Sequence, residues 1–281
     1  MTDRPDPDLN DALMERYGDA VDAPDMPADV RQSLRRMASR GSCRRFQPTP
    51  VPDDLLQTLC AVALAAPTKS DLQQRDIVAL KSEDRRARLA DLVAGQDWVA
   101  AAPMVLVFCG NNRRQRLLHD WHDVPFANDH MDAVINAAAD AAIAMAAFVT
   151  AAEAAGLGCC PISAVRNDAA AVSDLLGLPE HVFPFAGLAV GYPAHPPEIA
   201  MRLPLHVTCH VDTYREDGLK ESVAAYDVRR ARAQPYNRQR FVATFGTSDT
   251  YGWSEDKVRQ YSQPERAEFG AFLRARGFQL D

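Results

Sequence analysis

The sequence predicts an α+β protein, and three observations carry that expectation. Two apolar runs of strand length, residues 102–110 and 182–193, sit beside a β-branched stretch, RDIVAL, at 75–80. One uninterrupted Ala-rich stretch spans His130 to Gly158 and contains no Pro. Strands and helices mix along the chain without the strict alternation that a doubly wound parallel sheet requires.

The stretch HMDAVINAAADAAIAMAAFVTAAEAAGLG reads as one long helix, closed by Gly156 and Gly158. At a rise of about 1.5 Å per residue it would be ~40 Å long. Its polar residues are sparse: Asp132, Asn136, Asp140 and Glu153. A helix that is apolar all round is buried on more than one side. A core helix of a monomer fits that pattern. A central helix shared between the subunits of a dimer fits it too, and better suits the length. A membrane span does not, because Asp140 and Glu153 leave only residues 141–152 uncharged, short of the ~20 residues a bilayer needs.

The other elements follow in order. Residues 1–30 are acidic and carry Pro5, Pro7, Pro24 and Pro27. They read as an N-terminal extension, laid on the surface or disordered, with a short helix over Leu9–Tyr17. Val30–Ser39 predicts a helix with Val30, Leu34 and Met37 on one face. Pro48, Pro50 and Pro52 exclude regular structure until Pro52-Asp53-Asp54 opens a helix that runs to about Ala65. A loop at 66–74 leads into the strand 75–80, and Asp84–Ala94 reads as an amphipathic helix. Residues 111–128 mix charges and aromatics, and read as a mobile or partner-covering segment. After the long helix, Gly158–Ile162 turns into a short strand. A helix capped by Asn167 or Asp168 runs to Leu176, and residues 194–215 read as extended. Helices are expected over Ser222–Arg232 and Pro264–Arg276, the last ended by Gly277.

Composition narrows the class. The chain has 281 residues, 47% hydrophobic and 25% charged, which is the balance of a soluble globular protein. A net charge of −7 argues against general affinity for nucleic acid or anionic membrane, so any anion site has to be local. The start, MTDRPDPDLN, lacks the apolar core of a signal peptide. Six Cys without a C-x-x-C pair, most of them in apolar segments, fit reduced thiols and a cytoplasmic protein.

Several residue groups are suited to binding. Arg40, Ser42 and Arg44 alternate, so an extended backbone points all three the same way. Forked guanidinium donors on one face suit a phosphate, although a solvated basic turn has the same composition. Thr68, Lys69, Ser70, Asp71 and Gln73 crowd a loop after an apolar helix, where functional polar groups concentrate. Ser163, Arg166 and Asn167 sit at an expected helix start. Arg202 stands alone after a Pro-rich stretch, and Arg229, Arg230, Arg232, Arg238 and Arg240 form a basic run. His206, Cys209 and His210 lie in a context that scatters side chains to both faces, so no metal site is expected there.

Together these pieces resemble the nitroreductase family of FMN enzymes. The resemblance runs through R-x-S-x-R-x-F at 40–46, A-P-x-x-x-x-L-Q at 66–73, Gly95-Gln96, the long Ala-rich helix into GLG, LLGLPEHVFPFAGLAVGYPAHPP and RLP. It covers residues 31–281 and is closest to the NADPH-preferring, oxygen-insensitive branch. It implies a central, mostly antiparallel sheet flanked by helices, with the Ala-rich helix at a homodimer interface and residues 219–281 as a C-terminal helical extension wrapping the body. By position, it implies that Arg40, Ser42, Arg44 and Arg202 hold FMN on its phosphate side. Thr68, Lys69, Ser70, Asp71 and Gln73 would form the flavin-contacting loop, reaching across the dimer. Gln96 would touch the ring system, Pro161, Ile162, Ser163 and Ala164 would run along it, and Arg166 would suit the phosphates of NADPH or NADH. Asp71 stands where many members have Asn, beside an unusual Lys69 that would have to compensate it. The implied reaction is a ping-pong transfer from NAD(P)H through FMN to a small electron acceptor such as a nitroaromatic or a quinone, with no catalytic side chain. Reductive dehalogenation, enone reduction and flavin fragmentation remain open on similar scaffolds. So does a non-catalytic FMN-binding role.

Overall fold

The computed structural model describes residues 7–93, 96 and 98–281. Residues 1–6 of the expected extension, Ala94 at the end of an expected helix and Gly95 of the Gly95-Gln96 motif lie outside the described residues. The chain divides into two compact units, Met1–Gly41 with Glu198–Glu265, and Ser42–Pro197 with Arg266–Asp281.

The larger unit is built on a four-stranded antiparallel sheet: β1 (Arg75–Leu80), β2 (Met104–Asn111), β3 (Gly158–Ile162) and β4 (Val182–Gly191), in the order β1-β2-β4-β3. Strand β2 shows why its sequence is apolar without alternation. Met104, Leu106 and Phe108 face one core, and Val105, Val107 and Cys109 face another. A strand buried on both faces has no polar side to show. The first core is closed by α3 (Asp53–Leu64) and α6 (Met131–Ala154), with Phe108 meeting Phe148 edge-on at 5.9 Å. The second is closed by α4 (Glu83–Leu92) and α7 (Ala169–Leu176). Ser82 and Asp168 cap these two helices through Arg85 N–H and Ala171 N–H. Helix α5 (Arg113–Trp121) follows β2. Helix α12 (Phe269–Ala275) adds Leu273 to a third cluster with Val134, Phe183 and Phe278.

By length and apolarity α6 would suffice to cross a bilayer. Its burial is that of a core helix: Ala137, Ala141, Ala144, Phe148 and Ala152 are fully buried, the last three in the core shared with α3 and the sheet and Ala137 in the third cluster. Small side chains along that face let the backbone approach closely. The opposite stripe is bare, with Met131, Ile135 and Ile143 between 40% and 54% exposed.

In the smaller unit, α1 (Leu9–Tyr17) packs against α2 (Ala28–Ser39). The unit also contains α8 (Leu205–Thr208), α9 (Leu219–Ala233), α10 (Val242–Phe245) and α11 (Trp253–Tyr261). Asp8 accepts from the Arg31 guanidinium at 2.7 Å, which joins the start of α1 to α2 and holds the Asp8 carboxyl down at about 2.

Four expectations need correction. The extension is neither disordered nor merely laid on the surface over 9–17: Leu9, Ala12 and Arg16 of α1 are buried. Val30, Leu34 and Met37 form the expected face of α2, but that face is exposed, and Arg31, Arg35 and Ala38 take the more buried side. Residues 113–121, for which no helix was expected, form one. Helix α5 buries no residue completely, so the apolar periodicity that announces a packed helix is missing from its sequence. The stretch 194–215 contains α8, and α10 and α11 were not anticipated. Both are short and rich in polar or charged neighbours.

Candidate functional site

The arginines of the smaller unit are the more constrained group. Arg16 on α1 is 6% exposed and spends its whole fork on backbone carbonyls. Nε donates to Ala38 O at 2.9 Å, Nη1 to Ala200 O at 2.9 Å and Nη2 to Arg40 O at 2.5 Å. Arg202 N–H returns a bond to Arg16 O at 2.7 Å. From α9, Arg229 Nη2 donates to Arg202 O at 2.9 Å and Tyr226 Oη to Met201 O at 3.1 Å. Gln234 bonds both Ile199 O and Met201 N–H. The stretch 199–202 is therefore fixed at nearly every backbone group, while the Arg202 side chain remains exposed. Burial pulls the Arg16 guanidinium below its ordinary value, and the positive charges of Arg202 and Arg40 add to that. Arg229 Nη1 is buried without a hydrogen-bond partner among the described residues. It packs where a side chain at Gly18 would stand, since a Cβ there would lie 1.3 Å from it. Clustered guanidinium groups suit a phosphate.

In the larger unit, Ser42-Cys43-Arg44 runs as extended chain. Cys43 points inward and Ser42 and Arg44 outward, as alternation requires. Cys43 N–H donates to Cys159 O of β3 at 3.0 Å, and Gln47 N–H to Tyr192 O at 2.8 Å. Gly158 permits this approach, because a Cβ there would meet Cys43 Cβ at 2.6 Å. The Arg44 guanidinium lies 5.9 Å from the Trp98 ring centroid, which brings it to the segment of Gln96, whose carbonyl accepts from Val99 N–H. At the end of β3 and just after it, Pro161 and Ser163 face outward and Ile162 and Ala164 inward. Ser42, Arg44, Gln96 and residues 161–164 thus gather on the β3 side of the sheet.

The loop Thr68–Gln73 lies elsewhere. It enters β1, the opposite edge strand. Ser70, Asp71 and Gln73 all have left-handed backbone, with φ of 49°, 57° and 53°. Such conformations cost energy in non-Gly residues and persist only when the surroundings impose them. Asp140 imposes this one. Its carboxylate, 1% exposed on α6, accepts from Lys69 N–H at 3.0 Å and Gln74 N–H at 2.8 Å. Arg75, also buried, places Nη1 4.0 Å from Asp140 and donates through Nη2 to Leu64 O and Ala66 O. Gln115 and Arg114 of α5 bond Leu72 O and Gln73 O. A shallow cleft of about 400 Å³ lies between the end of α3 and this loop, lined in part by Thr68, Asp71 and Gln73. Lys69 Nζ bonds Ser70 Oγ at 2.9 Å, and it is Gln73 Nε2, at 3.2 Å, that donates to Asp71. The partner expected for Asp71 was Lys69.

Arg166 donates to Phe185 O and lies 5.7 Å from the Phe185 ring centroid. The register between β2 and β4 shifts between Phe108 and Cys109, leaving Phe185 outside the ladder with a carbonyl to offer. Burial, then Arg266, lowers the Arg166 guanidinium from its ordinary value.

Sequence reasoning passed over Asp140, Arg75 and Arg16 as site-building residues. The first had a readable signal, since a lone carboxylate inside an Ala run has to find a donor set. Arg16 had none, because its three acceptors are carbonyls far away in sequence.

Comparison with known proteins agrees with this architecture. The model of the nitroreductase family matches residues 37–192, and that of the nitroreductase family C-terminal domain matches residues 201–281. The FMN reductase [NAD(P)H] of Bacillus subtilis (strain 168) is 30% identical over 255 residues, 90% of this chain and 100% of its own length. The NADPH-flavin oxidoreductase of Vibrio harveyi is 29% identical, over 88% of this chain and 98% of its own. The solved structure of NfrA2 of B. megaterium superposes with a TM-score of 0.81 at 30% identity, covering 89% of this chain and 99% of that one. The chain belongs to the nitroreductase family.

Proposed function

We propose that this chain is an FMN-dependent NAD(P)H oxidoreductase that passes electrons to small, electron-poor acceptors such as nitroaromatics or quinones, and that it works in the cytoplasm as a homodimer. The arginine cluster in which one buried guanidinium, that of Arg16, bonds the backbones of Arg40 and Ala200 while the Arg16 carbonyl accepts from Arg202 N–H is the observation that carries the reading, because clustered guanidinium groups suit a phosphate monoester in a chain of net charge −7. The names of the two curated relatives support both the flavin and the nicotinamide donor.

When bound, FMN takes two electrons from NAD(P)H and gives them to the acceptor. The chain's own task is to hold and to orient. Arg40 and Arg202 neutralise the phosphate, and Ser42 and Arg44 supply further donors, as the motif at 40–46 implies. Gln96 and the Pro161–Ala164 segment shape the ring's surroundings. Arg166 offers a nicotinamide phosphate only the edge that its bond to Phe185 leaves open. Thr68, Lys69, Ser70, Asp71 and Gln73 serve the ring of the second subunit. That last assignment rests on the sheet order: the loop leads into one edge strand, and the β3 group sits at the other. Three strand spacings of about 4.8 Å separate those edges. A second copy, covering the bare stripe of α6, supplies the missing loop. Residues 31–281 then form the flavin-binding body.

The assignment is tested by flavin retention. Arg40→Ala and Arg202→Ala should each lose most of their FMN on dialysis under conditions in which the unsubstituted protein keeps it. Full occupancy in Arg202→Ala would overturn that residue's role.

A further inference from the structure

Residues 1–30 have no part in the reaction as derived so far, and α1 precedes the residues matched by the family models. Yet α1 contributes the most completely committed side chain near the anion-binding arginines. A surface helix normally turns its Arg toward water. Arg16 instead lies 6% exposed and bonds three carbonyls from three separate places in the chain. Ala38 O belongs to the last turn of α2, where carbonyls lack intrahelical partners. Arg40 O belongs to the extended chain that follows, and Ala200 O to the stretch before Arg202. Arg16's own carbonyl then accepts from Arg202 N–H.

We propose that Arg16 is a positioning residue for the anion grip: the N-terminal helix joins the backbones of Arg40 and Arg202 through one buried guanidinium, so that both side chains meet a single phosphate. The proposal rests on the reading that Arg40 and Arg202 hold the FMN phosphate.

Three features support it. The same fork bonds Arg40 O and Ala200 O, so these two backbone points are held within the span of one planar group. Like charges do not gather without cause, and Arg16 repels both Arg202 and Arg40. A phosphate would offset that repulsion. The helix itself is seated rather than loose: Gly18 ends it in the left-handed conformation with N–H on Met14 O, and the Arg229 guanidinium fills the space a side chain at Gly18 would occupy. Arg229 also bonds Arg202 O, so α1 and α9 hold the same residue from two directions.

The mechanism predicts a selective effect. A residue that only stabilises the fold would affect every flavin alike. A residue that aligns the phosphate grip affects FMN and spares riboflavin, which has the same ring and no phosphate. The experiment titrates flavin-free full-length protein with FMN and with riboflavin, following flavin fluorescence, for the unsubstituted chain, Arg16→Met, Arg16→Lys, Arg40→Ala and Arg202→Ala. Arg16→Met should bind FMN on the order of tenfold more weakly, the effect of losing one charge-assisted anchor, with riboflavin affinity unchanged. Arg16→Lys keeps the charge and loses the fork. It should show the same selective loss, and it serves if the Met variant does not fold. Unchanged preference for FMN in the folded Arg16 variants, or equal loss for both flavins, overturns the proposal. Should Arg40→Ala and Arg202→Ala also keep the FMN preference, it is the phosphate assignment that fails. Selective loss in those two variants alone leaves the grip standing without Arg16.

Discussion

Asp140 shows how much one side chain can organise. It sits on a helix otherwise built from Ala and other apolar residues, and it answers two loop N–H groups and one buried guanidinium. Arg75 Nε and Nη1 have no hydrogen-bond partner among the described residues, so the carboxylate 4.0 Å away is the nearby counter-charge that makes this burial tolerable. Asp140→Asn removes the charge and turns an acceptor into a donor facing an N–H. Breaking a buried pair from one side costs about 3–5 kcal/mol, so thermal unfolding should show a clearly lowered Tm. Release of the left-handed loop should weaken riboflavin and FMN together, unlike the FMN-selective effect expected at Arg16. An Asp140→Asn protein with unchanged Tm would show that the loop keeps its shape by other means. The sequence made the oddity of this residue visible but not its partners. Lys69, Gln74 and Arg75 are about seventy residues away, and nothing local links them.

At the scale of elements, legibility followed burial. Strand β1 was expected over 75–80 and is found there, and α3 begins after Pro52 as its acidic first turn announced. Both carry strong local chemistry. Helices α5, α10 and α11 escaped because they bury little, so no apolar period marks them. Helix α6 carries the opposite ambiguity. Its pattern promised burial all round, and one chain provides only part of it, leaving Ile135 at 54% and Ile143 at 40% exposed. On α3, Val62 and Leu64 are likewise 50% and 43% exposed. Exposed apolar stripes of this kind mark interaction surfaces. Ile143→Asp should therefore shift the protein from dimer to monomer in a sedimentation experiment, and lower flavin occupancy with it. A variant that remains dimeric would place the subunit interface on another face.

For the whole molecule, the fold class and the family were readable from motifs spread over most of the chain, because each motif answers a local demand. Alternation at 40–44 gives an outward polar face, and Gly158 allows the close approach of Cys43. What the motifs could not show was their distribution. The loop before β1 and the group beside β3 stand at opposite edges of one sheet, and the N-terminal extension turns out to brace the arginines rather than to trail from them. Each unit holds its part of the proposed binding residues by buried polar contacts: Arg16 and Arg229 in one, Asp140 and Arg75 in the other.

The most direct test of the oxidoreductase reading is the absorbance spectrum of the FMN-loaded protein without oxygen, before and after NADPH or NADH. The flavin bands should bleach within seconds and return when a nitroaromatic or a quinone is added. Bands that persist with both donors, or a protein that takes up no flavin, would contradict it.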